Sequence, residues 1–120
     1  KMSSKTLLVI IGTNPYGGSD AAWNAIRLAQ TALESGDKVR IFLINAGVDA
    51  GRKNLTPPEN FFNLAEMLKE CAGKGAEMKY CKTCIDRCGI GSGDMIDEIP
   101  AGSMKILHEW IMSSDKAVTF

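Results

Sequence analysis

The chain has a single histidine, His108. Without a second imidazole, a metal site built on histidine is excluded. His108 itself reads as a packed or surface residue, with a general-base role as the other option. No apolar run approaches the ~20 residues that a membrane-spanning helix requires. Charge of one sign is also lacking, because 14 Lys and Arg balance 14 Asp and Glu. That balance argues against direct nucleic-acid binding or an anionic membrane surface as partner. The start, Lys1-Met2-Ser3-Ser4-Lys5, has no cleavage site and does not read as a signal peptide. Residues 1–4 are expected to be disordered or a cloning remnant. The glycine-rich stretch Gly12-Thr13-Asn14-Pro15-Tyr16-Gly17-Gly18-Ser19 has neither Gly-x-Gly-x-x-Gly nor the lysine of a P-loop. It reads as a tight turn.

What remains is one domain of 120 residues with 45% apolar and 23% charged residues, ordinary for a globular protein. Leu7 to Gly12 is a continuous apolar run, the pattern of a strand buried on both faces. Ser19 is placed to cap a helix with Ala22, Ile26, Ala29 and Leu33 on its apolar stripe. Lys38 to Ile44 is a second strand, followed by a polar loop over residues 45–55. Thr56-Pro57-Pro58-Glu59 predicts a capped helix start, with Phe61, Leu64, Ala65, Leu68 and Ala72 facing inward. Ala76 to Tyr80 is a third strand. Gly89 to Gly93 reads as a flexible hinge and Met95 to Ile99 as a short strand. Ser103 caps a last helix with Met104, Leu107 and Ile111 facing inward, and Lys116 to Phe120 is a closing strand. Alternating strands and helices predict an α/β fold, a mainly parallel sheet of about five strands with helices on both faces.

Four cysteines fall between positions 71 and 88, and three of them crowd into Cys81-Lys82-Thr83-Cys84-Ile85-Asp86-Arg87-Cys88. In a chain expected in the cytoplasm, where thiols stay reduced, such a cluster reads as reactive or metal-binding, not as a disulfide framework. Cys81 falls where a strand ends and a helix begins. Unpaired N–H groups there, with Lys79, Lys82 and Arg87 nearby, favour thiolate and predict Cys81 as the readiest thiol to alkylate. Three chemistries fit. Cys81 carries sulfur as a persulfide; Cys81 and Cys84 form a redox pair, with Cys84 resolving a species formed on Cys81; or Cys81, Cys84, Cys88 and Cys71 hold zinc or an iron–sulfur cluster. The plain alternative is that Cys84 and Cys88 are small packed residues in a structural subunit. Trp23 and Trp110 read as core or subunit contacts, and Asp94, Asp97 and Glu98 as a solvated acidic run.

The order of short motifs resembles the DsrE/DsrF/TusD-like sulfur-relay family over nearly the full length. The matching pieces are Pro15-Tyr16-Gly17, Ala46-Gly47-Val48, Cys81, Gly89 and Ser114 to Phe120. The resemblance implies a flavodoxin-like subunit assembling into trimers or hexamers. It implies Cys81 as the position that accepts sulfane sulfur and hands it to a partner such as a TusA-like carrier, without a cofactor. One departure is local: the family usually has arginine directly before the glycine, whereas here Cys88 precedes Gly89 and Arg87 lies one step earlier. That shifts the guanidinium by about 100° around a helix.

Overall fold

The computed structural model describes residues 4–120, so the expectation for the first three residues lies outside it. Its five strands are β1 (Thr6–Ile11), β2 (Lys38–Leu43), β3 (Glu77–Cys81), β4 (Ala101–Gly102) and β5 (Lys116–Thr119). They form one all-parallel sheet in the order β4-β3-β2-β1-β5. The chain winds outward from β1 to β4 and then returns to the other side of β1. Its switch point is therefore between β1 and β5, a different place from that of the flavodoxin order 2-1-3-4-5. The expected α/β class, with helices on both faces, stands.

Four helices cover the sheet: α1 (Ala21–Glu34), α2 (Leu64–Gly73), α3 (Lys82–Arg87) and α4 (Met104–Ser113). Right-handed crossovers put helices from the outward winding on one face and the helix of the return on the other. Alternation along β2 fits this. Its Phe42 meets Trp110 of α4 edge-on, and Arg40 lies over the same indole and bonds Ser113. Helix α1 packs against β1 and β2 with α2 beside it. The core they enclose includes Leu8, Ile11, Ile26, Ile41, Phe42, Leu64 and Leu68. Each such side chain contributes about 1.5–3 kcal/mol by leaving water. The two tryptophans pack, as expected: Trp23 stacks on Phe62 at 5.0 Å.

Five local expectations are corrected. Of the inward stripe expected on α4 only Leu107 is buried, whereas Met104 and Ile111 are exposed. Helix α2 starts at Leu64, capped by Asn63 through a 3.1 Å bond from the Glu66 N–H, and not at Thr56. Asn60 takes a left-handed φ of 64°, which breaks any helix through Pro57–Pro58. Phe61 accordingly leaves the helical stripe and packs against Tyr16 and Trp23. The polar loop after β2 contains a 3-10 helix over Asn45–Gly51 with Val48 and Ala50 buried. Residues 95–99 are no strand; Met95 makes one isolated bridge to Arg52, and the paired residues are Ala101 and Gly102. The turn at Gly89 is pinned, since Ile90 is buried and its N–H reaches the Ile85 carbonyl at 2.9 Å. Two helix starts are close to expectation. Ser103 accepts from the Ile106 N–H at 3.2 Å, and Ser19 accepts from the Ala21 N–H at 3.1 Å although Asp20 holds the cap position.

Candidate functional site

Register sets the site. Ile11 pairs with Leu43, Leu43 with Tyr80, and Cys81 with Gly102, so β1 to β4 end level. The segments that follow β2 and β3 therefore leave the sheet side by side. Gly102 permits this edge to close, because a Cβ there would lie 2.9 Å from Cβ of Lys79 and 3.0 Å from the Phe42 ring.

Cys81 does not enter the helix that follows. It is the N-cap of α3, with extended φ −73° and ψ 108°, and its Sγ accepts the Cys84 N–H at 3.3 Å. This is the cap relation in which an acceptor before the helix satisfies an N–H of the first turn. It turns the Cys84 side chain toward Cys81, and the two sulfurs stand 2.7 Å apart as free thiols. A covalent disulfide needs about 2.05 Å. The pair is in exchange range. Cys84 Sγ also accepts the N–H of Asn45, the first residue after Ile44, at 3.3 Å.

The pair is layered. Cys81 is only 8% exposed, whereas Cys84 lines a cleft of about 340 Å³ with Asn45, Ala46, Arg87 and Cys88. The one-step shift of Arg87 therefore still leaves it beside the cysteines. Burial pushes the Cys81 thiol up, as does the Cys84 thiol bonded to it. The N–H groups of Cys84 and Thr83 pull the other way and do not prevail. Of the flanking cations, Lys82 is taken by Asp86 at 2.7 Å. The helix start thus does not turn Cys81 into a thiolate-rich site. Shelter, not acidity, is what the fold gives it. Cys88 is exposed at the end of α3, which makes it the most accessible of the four thiols.

The larger cysteine set does not assemble. Cys71 is 1% exposed on the buried face of α2, and burial raises its thiol to about 11. Among the described residues, no three His, Cys, Asp or Glu side chains converge as metal ligands do. His108 is exposed on α4 and belongs to no such group. Asp94 closes the turn back to the Gly91 N–H, and Asp97 pairs with Lys53 at 3.5 Å. The glycine-rich first loop has carboxylates, Asp20 and Glu59, around its 240 Å³ hollow, a poor setting for a phosphate. Its Tyr16 instead ties the loop to the fold, the hydroxyl accepting the Leu64 N–H at 2.9 Å. No helix among the described residues is long and apolar enough to cross a membrane.

Asn45 is the site residue that sequence reasoning missed. Its contribution is a backbone N–H, which leaves no side-chain signature. The available signal was Asn45-Ala46-Gly47 directly after a buried strand, since asparagine readily takes left-handed backbone.

The comparisons agree with this architecture. An uncharacterised protein of Methanopyrus kandleri is 38% identical over 114 residues, 95% of this chain and 93% of its own. Protein YchN of Escherichia coli is 34% identical over 116 residues, 95% of this chain and 97% of its own. The crystal structure of YchN superimposes with a TM-score of 0.85, covering 98% of this chain and 100% of that one at 33% identity. A protein of unknown function from Methanobacterium thermoautotrophicum shares the fold at 13% identity, with a TM-score of 0.72 over 98% of this chain and 100% of its own. The model of the DsrE/DsrF-like family matches residues 5–120, and the chain belongs to that family.

Proposed function

We propose that this protein is a sulfur-relay subunit, working in the cytoplasm, that carries sulfane sulfur as a persulfide on Cys81. The observation that carries the reading is the layered thiol pair: a sheltered Cys81 at the end of β3, 2.7 Å from a Cys84 that faces the cleft. Family membership supports the same chemistry. The Cys81 thiolate attacks the outer sulfur of a donor persulfide. A bond forms between Cys81 Sγ and that sulfur while the donor S–S bond breaks, and the donor leaves as a thiolate. An acceptor thiolate then attacks the same outer sulfur and Cys81 leaves as a thiolate. No net oxidation occurs, and the rates follow thiolate fraction and access.

Cys84 has a second part in the proposal. Its thiolate attacks Cys81 Sγ, forming the Cys81–Cys84 disulfide and expelling the outer sulfur as hydrosulfide. The two thiols are oxidised and the sulfane sulfur is reduced. Acting on an unclaimed persulfide, Cys84 is the resolving thiol. The assembly and the carrier partner implied by the family, a trimer or hexamer and a TusA-like protein, belong to the same proposal. Exposed Met104, Ile111 and Met112 on α4 support the self-association.

Intact mass tests the loading step. After incubation with a sulfane donor and removal of excess, the reduced protein gains about 32 Da, one sulfur, by thiol exchange. Because burial raises the Cys81 thiol, loading accelerates as pH rises above neutral. In a Cys88→Ser background, where the exposed thiol is gone, Cys81→Ser gains nothing. Equal loading of that variant would reject the assignment.

A further inference from the structure

The geometry points to Asn45 as the positioning residue of the thiol pair, acting through its left-handed backbone to aim an N–H at Cys84 Sγ and hold that sulfur against Cys81. This rests on the reading of Cys84 as the resolving thiol. The Ala46-Gly47 stretch singled out in the sequence supplies the support. Ile44 donates its N–H to the Ile11 carbonyl at 2.9 Å, and Gly47 donates to the Ile44 carbonyl at 2.9 Å. Between these anchors Asn45 has a φ of 53°. Most side chains resist that conformation, and β-branched ones most of all, because Cβ crowds the backbone; Asn, Asp and Gly accept it. The result is an N–H 3.3 Å from Cys84 Sγ, delivered by β2's exit to a sulfur on α3.

The consequence is geometric. Cys84 Sγ accepts from Asn45 while it meets Cys81 Sγ at 2.7 Å, so the nucleophile is fixed on the rotamer that attacks. Pre-orientation of this kind raises an intramolecular rate without any new reacting group. Left-handed backbone held by surrounding structure is a recurring mark of functional sites. The role belongs to the backbone at position 45. It should therefore survive loss of the amide side chain and fail when the backbone is driven out of the left-handed region.

Closure of the pair can be read without any sulfane sulfur. Oxidised glutathione accepts attack by one protein thiolate, giving a mixed disulfide and one glutathione thiolate. The second protein thiolate then attacks the protein sulfur, forming the Cys81–Cys84 disulfide and releasing the second glutathione. With Cys88→Ser as the common background, which removes the exposed thiol, acid-quenched intact mass follows the first-order loss of the adduct, and tryptic peptides 80–82 and 83–87 identify the linked pair. Asn45→Gly and Asn45→Asp are expected to close within about twofold of the parent, and Asn45→Val about tenfold slower, the scale of a modest loss of alignment. Asn45→Ala falls between. Parent-like closure in Asn45→Val would overturn the proposal, as would equal slowing in Asn45→Gly. If Asn45→Val does not fold, the order of Asn45→Gly and Asn45→Ala decides: Ala slower sustains it, Ala equal or faster overturns it. Since no sulfane donor is present, these outcomes are separate from whether Cys81 can be loaded.

Discussion

In Cys84→Ser, the persulfide on Cys81 should outlive that of the parent by about tenfold or more when no acceptor thiol is present, because an aligned intramolecular nucleophile has been removed. The substitution is clean in this structure. The bond from the residue-84 N–H to Cys81 Sγ comes from the backbone and remains in the variant. What disappears is the sulfur 2.7 Å away. Loaded parent protein should lose its extra sulfur as hydrosulfide and end about 2 Da lighter than the dithiol, the mark of the disulfide. Sulfide release and intact mass over the same time course check both halves. An unchanged lifetime, with no disulfide in the parent, would leave Cys84 as a packing residue.

Gly47→Ala should be severely destabilising. A Cβ at that position would stand 2.0 Å from the Ile11 carbonyl oxygen and 2.6 Å from its carbon. These are backbone atoms at the end of a central strand, so no flexible side chain can swing away. Gly47 has no left-handed φ, so the contact alone acts. The cost exceeds ordinary overpacking and is about 3–4 kcal/mol. With a urea m-value of about 2 kcal/mol per M, the midpoint drops by roughly 1.5–2 M. A midpoint within roughly 0.3 M of the parent would mean that the 3-10 segment slides off β1 at little cost, contrary to the clamp described for Asn45.

The sheet was legible because β1 and β2 are apolar runs too short for helices and too branched for loops. The place of Cys81 was legible because it ends the third strand, where Glu77 and Lys79 alternate with the buried Met78 and Tyr80. The start of α2 was not. Thr56 to Glu59 has the local chemistry of a helix cap, but the left-handed Asn60 and the aromatic packing of Phe61 with Tyr16 and Trp23 override it. Tertiary contacts also decided the acidity of Cys81. A helix start promised thiolate, yet the side chain remains outside the helix and under cover, and burial outweighs the two N–H groups. The β4 position was hidden for another reason. A strand of two residues with a glycine has no periodicity to read, and its place comes from pairing with Tyr80 and Cys81.

The central claim is that Cys81, and not a neighbour, holds the sulfur. Trypsin cuts after Lys79, Lys82 and Arg87, which puts Cys81, Cys84 and Cys88 on three different peptides. Protein loaded with a sulfane donor, trapped by alkylation and digested, should show the extra sulfur, about 32 Da from thiol exchange, on the Cys81 peptide over residues 80–82. The same sulfur on the peptide of Cys84 or Cys88, with residues 80–82 unmodified, would contradict the account.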